Sequence, residues 1–343
     1  MTIPVSVIMP AYNSSSFIEA TLRCVVTQSL QGFELIVVDD GSTDGTPEIA
    51  ERFLSRHGGG ISHRVIRSEE NRGVSHARNV GIREARGRYL FFLDSDDRME
   101  PDGLDILYNA AVRHGSDMAA CRYDIVELKG GKPREVRKHL GYPDPVKRVL
   151  TGREALSLYL VGKLGLWMGN ILYASRRIRE NDIRFTEGMR YLEDREFIVK
   201  NLFESDYLVY VPQTFCHYVQ HADSAMGSNE TDIGFFLNPD WYVRVEAFLH
   251  ARHASRDLMD NHRRNAVPRG ISWRRSRLTV KQPFFKEVEA YLCRMARAYP
   301  YKMDGWTLRD AYYWLDNRII AYTPSLYEAW RRIYKSAANL IFR

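Results

Sequence analysis

A chain of 343 residues, 45% hydrophobic and 12% aromatic, is long enough to bury a sizeable core, which excludes a disordered polypeptide and favours one large domain with an appendage. Its four cysteines (Cys24, Cys121, Cys216, Cys293) form no CxxC pair, so zinc and disulfide frameworks lack support, and no apolar run nears the roughly 20 residues needed to cross a bilayer. The net charge of +6 is uneven: residues 231–343 carry 20 Lys+Arg against 11 Asp+Glu and hold five of the six tryptophans. Such a tail suits the interface of an anionic membrane or a nucleic acid, or else a helical subdomain with the tryptophans as its core. The start "MTIPVSVIMPAYN" lacks a basic leader and a cleavage signature, so a reducing cytoplasmic setting is expected.

The first 120 residues alternate short apolar runs with helix-period segments, as repeated β-α units on a mostly parallel sheet do. Val5 to Met9 reads as a strand; "SFIE" (Ser16 to Glu19) has capping-box spacing and predicts a helix to about Gln28. Phe33 to Val38 reads as a second strand, followed by the acidic, glycine-bearing turn "DDGSTDGT" and a helix with Pro47 in its first turn. His63 to Ser68, Val74 to Ala85 and Tyr89 to Leu93 predict a strand, a helix and a strand. Glu127 to Arg148, rich in Gly, Pro and charge, reads as an exposed loop or hairpin. Thr151 and Glu154 form a second capping box before a helix to about Leu164, and Trp167 to Tyr173 reads as a strand. A helix is expected from near Glu193, then short strands at Leu208 to Val211 and Phe215 to Val219, then helices broken by Pro268, Pro283, Pro300 and Pro324.

Ligands of open parallel sheets sit outside the carboxyl ends of the strands. Here those ends read Pro10-Ala11-Tyr12-Asn13, Asp39-Asp40-Gly41-Ser42 and Asp94-Ser95-Asp96-Asp97. The first could stack and hydrogen-bond a planar base, or be an ordinary strand-exit turn; the second could accept a base N–H, or simply reverse the chain. Three carboxylates after an apolar strand repel one another unless a cation or donors compensate them, and an extended Asp-x-Asp points alternate side chains to one face. Mg²⁺ or Mn²⁺ takes one or two carboxylates and fills its shell with water and phosphate oxygens. The competing reading is a helix cap for the segment starting near Pro101. Likewise Glu193-Asp194 could supply a general base or complement a helix N-terminus. His217 and His221 lie two strand periods apart, in reach of a metal, an acceptor or the core, and "RRNAVPRGISWRRSR" (Arg263 to Arg277) could face an anionic lipid or water.

Together, "VSVIMPAYNSSSFIEATLRCVVTQSLQGFELIVVDDGSTDGT", "ENRGVSHARNVGIREARGRYLFFLDSDD" and "RFTEGMRYLEDREF" resemble the family 2 glycosyltransferases, closely over residues 4–125 and loosely over 165–225. The resemblance implies a GT-A fold: an open, mostly parallel Rossmann-like sheet flanked by helices over 1–228, split into a nucleotide-sugar half (1–125) and an acceptor half (126–228). A basic, Trp-rich helical region over 229–343 would follow. It further implies inverting transfer of a sugar from a nucleotide-diphosphate donor, UDP-linked, to a hydroxyl of a glycan or polyprenyl-diphosphate-linked acceptor. Pro10, Ala11, Tyr12 and Asn13 would surround the base, Asp40 would bind its N–H, and Gly73, Arg78 and Ser95 would line the nucleotide pocket. Asp94 would contact ribose or metal, Asp96 would hold Mn²⁺ or Mg²⁺, and Asp194, beside Glu193, would be the base. The implied setting is bacterial surface-polysaccharide assembly, cytoplasmic with peripheral membrane contact through the basic tail, and no nucleic acid. A sugar-phosphate nucleotidyltransferase would use the same acids, but no Gly-rich, Lys-bearing loop follows the first strand; a non-catalytic nucleotide or sugar binder would not need Asp194.

Overall fold

The computed structural model describes residues 2–129, 132–140, 148–189, 191–221, 232–237, 240–278, 282–283, 285–302, 308–327 and 329–330. The chain divides into two compact units, Met1–Tyr159 with Lys163–His221, and Leu160–Gly162 with Ala222–Arg343.

The first unit opens with β1 (Val5–Ala11), α1 (Ile18–Val26), β2 (Glu34–Asp39), α2 (Thr46–His57), β3 (Ser62–Arg67), α3 (Val74–Glu84) and β4 (Tyr89–Phe92). Every residue of β1, β2 and β4 is buried, as expected of central strands covered on both faces. β3 is the half-exposed edge, and its arginines reach neighbouring acids: Arg67 to Glu48 and Glu51, Arg64 to Glu84 and Glu34. Pro47 sits in the first turn of α2, where its missing N–H costs no helical bond. The capping box read at Ser16–Glu19 does not form. Instead the Ser14 carbonyl accepts from the Phe17 and Ile18 amides, and no side chain caps α1.

The chain continues through β5 (Arg98–Met99), α4 (Gly103–His114), β6 (Met118–Lys129), β7 (Lys132–Leu140), β8 (Val149–Thr151), α5 (Gly152–Leu160), β9 (Ile171–Ala174), α6 (Ser175–Glu180), α7 (Glu193–Glu204) and β10 (Tyr207–Gln220). β6 and β7 pair antiparallel, which resolves the loop-or-hairpin question as a hairpin. The Thr151–Glu154 box is present: the Thr151 amide donates to Glu154 Oε2 at 2.8 Å and the Glu154 amide to Thr151 Oγ1 at 3.2 Å. The segment read as a strand from Trp167 begins as a 3-10 turn (Met168–Asn170) before β9, because the Asn170 side chain takes the Trp167 amide. The two short strands expected near 208 and 215 are one, β10, with register shifts between Val211 and Cys216, where Pro212 cannot donate.

The strand order is β3-β2-β1-β4-β9-β6-β10-β5, with β7 on β6 and β8 on β10. β1, β2, β3 and β4 run parallel, and the direction of strand addition reverses at β1, between β2 and β4. That switch opens the crevice in which the acidic strand ends lie.

The second unit is helical: α8 (Ile233–Leu237), α9 (Asp240–Ala251), α10 (Arg256–Asn261), α11 (Val267–Arg277), α12 (Phe285–Ala298) and α13 (Leu308–Tyr322). Trp241 is buried, Trp273 packs on Phe235, and Trp330 stacks on Tyr312, so these tryptophans serve the packing of the unit itself. Trp306 lies outside the described residues. The basic stretch is split between core and surface: Arg274 and Arg275 are buried, with Arg275 paired to Glu289 at 2.9 Å, whereas Arg263, paired with Glu246, and Arg264 are exposed. Among the described residues no helix is long and apolar enough to cross a membrane.

Gly41, where β2 turns out of the sheet, has φ +74°, and a Cβ there would meet the Glu70 carbonyl carbon at 2.6 Å and the Asn71 amide at 2.7 Å. Gly41→Ala should therefore destabilise the protein by about 1–3 kcal/mol in chemical denaturation. Gly59→Ala, which would meet nothing within 4 Å, should leave the midpoint in place.

Candidate functional site

The exits of β1 and β2 are stitched together. Asn13, at φ +46°, donates its amide to Ser42 Oγ at 2.9 Å and accepts the Thr43 amide on its Oδ1 at 2.9 Å. Ser14 and Ser15 donate to Thr46 Oγ1 and Asp44 Oδ2. Pro10 and Ala11 are buried in β1 opposite Val38 and Asp39, whereas Tyr12 stands 48% exposed at the mouth. This leaves an open aromatic face on a rigid turn.

Asp40 is buried and accepts the Arg72 amide at 3.1 Å and the Gly73 amide at 2.7 Å. It thus holds the glycine turn, with Gly73 at φ +92°, that opens α3. A carboxylate has about four acceptor sites, so these bonds leave capacity for a ligand N–H. Asp39 accepts the Ser42 amide on Oδ2, and its Oδ1 is buried without a partner among the described residues.

The acid turn after β4 is anchored on several sides. Ser95 is buried, its Oγ 2.7 Å from Ser14 Oγ, and its carbonyl accepts Thr21 Oγ1. Asp97 is fully buried, with Oδ1 accepting the Val219 amide of β10 at 2.8 Å; burial and the Asp96 and Asp94 carboxylates push its carboxyl well above the usual range. None of these acids caps α4, which begins four residues beyond Met99 behind Asp102 without a side-chain cap. Asp96 stays partly exposed and lies 3.0 Å from His221 Nε2, whose ring stacks on Phe17 at 4.0 Å. His217 goes elsewhere, to Glu100 at 2.9 Å. β10 ends at Gln220, so the two-residue period that would align the histidines stops short of His221.

Arg78 of α3 is buried and joins the two acidic regions. Its Nη2 donates to both oxygens of Asp94, at 2.9 and 3.1 Å, and its Nη1 donates to Glu193 Oε1 at 2.9 Å. Its guanidinium also lies over the Phe185 ring, centroid distance 5.2 Å. Glu193 is the first residue of α7, and Leu192 before it adopts φ +66°, an uncommon conformation for a residue with a Cβ. That turn sets Glu193 inward on Arg78 and leaves Asp194 half-exposed, its Oδ1 accepting the Arg195 amide. Burial, then the Asp194 carboxylate, push the Glu193 carboxyl up to about 7 against the pull of Arg78. Asp94, Glu193 and their neighbours thus share one site although a hundred residues separate them.

The family model described as "Glycosyl transferase family 2" matches residues 6–166, the segment that holds the stitched loops, α3 and the acid turn. This chain carries a family 2 glycosyltransferase domain. It is 31% identical over 234 residues to a cholesterol galactosyltransferase of Borreliella burgdorferi, covering 65% of this chain and 62% of that one. It is 29% identical to an uncharacterized glycosyltransferase, YibD, of Escherichia coli, with 64% and 62% covered. The chain therefore spans a little under two thirds of the length of these relatives. Among solved structures, TarS residues 1–349 from S. aureus superposes with a TM-score of 0.70 at 22% identity, covering 96% of this chain and 92% of that one. The fold is that of the GT-A glycosyltransferases.

In this family 2 domain, three contributors have no counterpart in the sequence reading. Asn79 donates to the Phe185 carbonyl at 2.9 Å and accepts the Phe185 amide at 3.0 Å; His76 lies 3.2 Å from Glu187; Phe17 carries His221. Arg78 and Asn79 are adjacent polar residues on the buried side of α3, but Glu193 and Phe185, which they reach, lie more than a hundred residues on.

Glu193 titrates near 7 in the fold against 4.5 when unfolded, so the native state holds its proton more tightly and stability is lost as pH rises from 4.5 to 7. Glu193→Gln should flatten that part of the stability–pH curve by about 2–3 kcal/mol, measured by denaturant titration at pH 4.5 and 8.

Proposed function

We propose that the protein transfers a sugar, with inversion, from a UDP-linked donor to a hydroxyl of a glycan or lipid-linked acceptor. The observation that carries this reading is the single buried arginine holding both Asp94, at the end of β4, and Glu193, next to Asp194. It brings the acid turn suited to a diphosphate and the carboxylate suited to an acceptor hydroxyl to one crevice. TarS has been solved with UDP and with UDP-GlcNAc, which supports a uridine donor for this domain.

The nucleobase would lie against Tyr12 on the Pro10–Asn13 turn, with Asp40 accepting its imide N–H and Gly73 allowing close approach of the backbone. Ser95 would back the ribose side of the pocket. Asp194 would take the proton of the acceptor hydroxyl as its oxygen attacks the anomeric carbon and the nucleoside diphosphate departs from the opposite face. The half-exposure of Asp194 lets an acceptor reach it.

The donor set suits a hard divalent cation. Asp94 and Asp96 are both partly exposed; both oxygens of Asp94 face Arg78, whereas Asp96 has the His221 imidazole against its Oδ2 to orient it towards a metal. No cluster of three or more metal-binding side chains occurs among the described residues, so phosphate oxygens and water would have to complete the shell. Mn²⁺ or Mg²⁺ held there would neutralise charge on the departing diphosphate. A mannosyltransferase from Pyrobaculum calidifontis, 19% identical with a TM-score of 0.50, was solved with GDP-mannose and Mn²⁺.

Incubation with a panel of UDP-, GDP- and dTDP-sugars in Mn²⁺ should release UDP from at least one donor. Asp194→Asn should slow that release by about 10²–10⁴-fold, the usual contribution of a general base, and Asp96→Asn should remove the dependence on added Mn²⁺. Release of no nucleotide from any donor would sink the transferase reading, and pyrophosphate formed from NTP and sugar phosphate would replace it with nucleotidyl transfer.

A further inference from the structure

The resemblance made Arg78 a lining residue of the nucleotide pocket, but its surroundings suit another task. Its side chain is only 5% exposed, three of its hydrogen bonds go to carboxylates on two separate elements, and its plane rests on Phe185. Phe185 stacks in turn on Phe197 of α7, with ring centroids 4.0 Å apart and planes 4° apart, and meets Phe92 of β4 edge-on at 5.4 Å. Phe197 also contacts Phe92 at 5.6 Å. The start of α7 and the end of β4 are therefore joined twice, by an aromatic cluster and by one guanidinium bonded to two carboxyl groups.

The same helix is tied to the nucleotide side. Asp40 holds the Arg72 and Gly73 amides at the entrance of α3, and five residues further on Arg78 holds Asp94 and Glu193. Asn79 clamps Phe185 through a reciprocal pair of bonds, and His76 reaches Glu187. α3 is thus a short rigid link from the carboxylate expected to meet the base to the residue preceding the expected general base.

We infer that Arg78 is a positioning residue rather than a nucleotide ligand: it couples occupancy of the nucleotide site to the placement of Asp194 by clamping Asp94 and Glu193 together. This rests on the transferase reading for its catalytic consequence, though not for the coupling itself. A buried guanidinium bonded to Asp94 and to Glu193 is held in one geometry, because releasing either group would leave buried donors and acceptors without partners away from water. A group held that way transmits displacement instead of absorbing it. Asp94, with both oxygens engaged, then serves Arg78, and Asp96 is left to the metal.

The test uses the full chain with UDP and Mn²⁺ as the probe, comparing wild type, Arg78→Met and Arg78→Lys. Amide hydrogen exchange should show UDP protecting 10–13 and 72–73 in wild type and both variants, and protecting 193–199 in wild type but not in Arg78→Met, with partial recovery in Arg78→Lys. Isothermal titration should find UDP affinity within about 3-fold of wild type in all three. On the donor that the sugar panel selects, Arg78→Met should lower kcat by about 100-fold, as a displacement near 1 Å can, with KM for the donor little changed. Thermal unfolding with and without UDP checks that each variant is folded. A fall in UDP affinity parallel to kcat would make Arg78 a nucleotide ligand, and protection of 193–199 that is absent in wild type or persists in Arg78→Met would remove the coupling. Wild type that releases no UDP yet shows the full exchange pattern would discard the transferase reading and keep the coupling.

Discussion

One buried guanidinium between two carboxylates is the constraint on which the arrangement depends. Arg78 is presented by α3, Asp94 by the end of β4 just after it, and Glu193 by the start of α7, about a hundred residues further on. Breaking a buried ion pair by removing one partner typically costs about 3–5 kcal/mol, because the survivor cannot be solvated where it stands. The left-handed Leu192 is tolerated for the same reason: the tie on Glu193 and the packing of Phe197 over-determine the turn.

The acid turn shows how repulsion is managed by dividing the carboxylates among different partners. Asp94 faces a cation, Asp96 faces an imidazole and the crevice, and Asp97 turns inward to the Val219 amide. Ser14 and Thr21 fix the backbone between them through Ser95. The chain therefore holds three acids in four residues with Asp94 and Asp96 still partly exposed, and the cost falls mainly on Asp97, whose carboxyl is driven far up by burial.

Much of the first 120 residues was legible in the sequence, because each β-α unit is a local pattern: a short apolar strand, a turn with glycine or carboxylate, a helix of period 3.6. The expected strands and helices there match the observed ones to within a residue or two at most ends. The capping box at Ser16 failed because a backbone turn, with the Ser14 carbonyl accepting the Phe17 and Ile18 amides, starts the helix at Ile18 instead. Beyond residue 160 the local pattern is weaker, since Pro212 and a register shift disguise β10 as two strands, and an asparagine bond turns the start of a strand into a 3-10 turn. In the tail, tryptophan and arginine counts alone could not separate a surface patch from a core; Arg274 and Arg275 are buried among aromatic rings and acids of their own unit.

The sequence by itself determined the list of candidate groups and the edge of the sheet that bears them, because strand period and turn chemistry are local properties. Which group serves which was decided only by the tertiary structure. Arg78 is one polar residue in a helix until folding sets it against Glu193, 115 positions away; His221 and His217 look equivalent until the end of β10 sends one to Asp96 and the other to Glu100. Pairing of charges across an interior depends on distance in space and on exclusion of water, and neither is written in the order of residues along the chain.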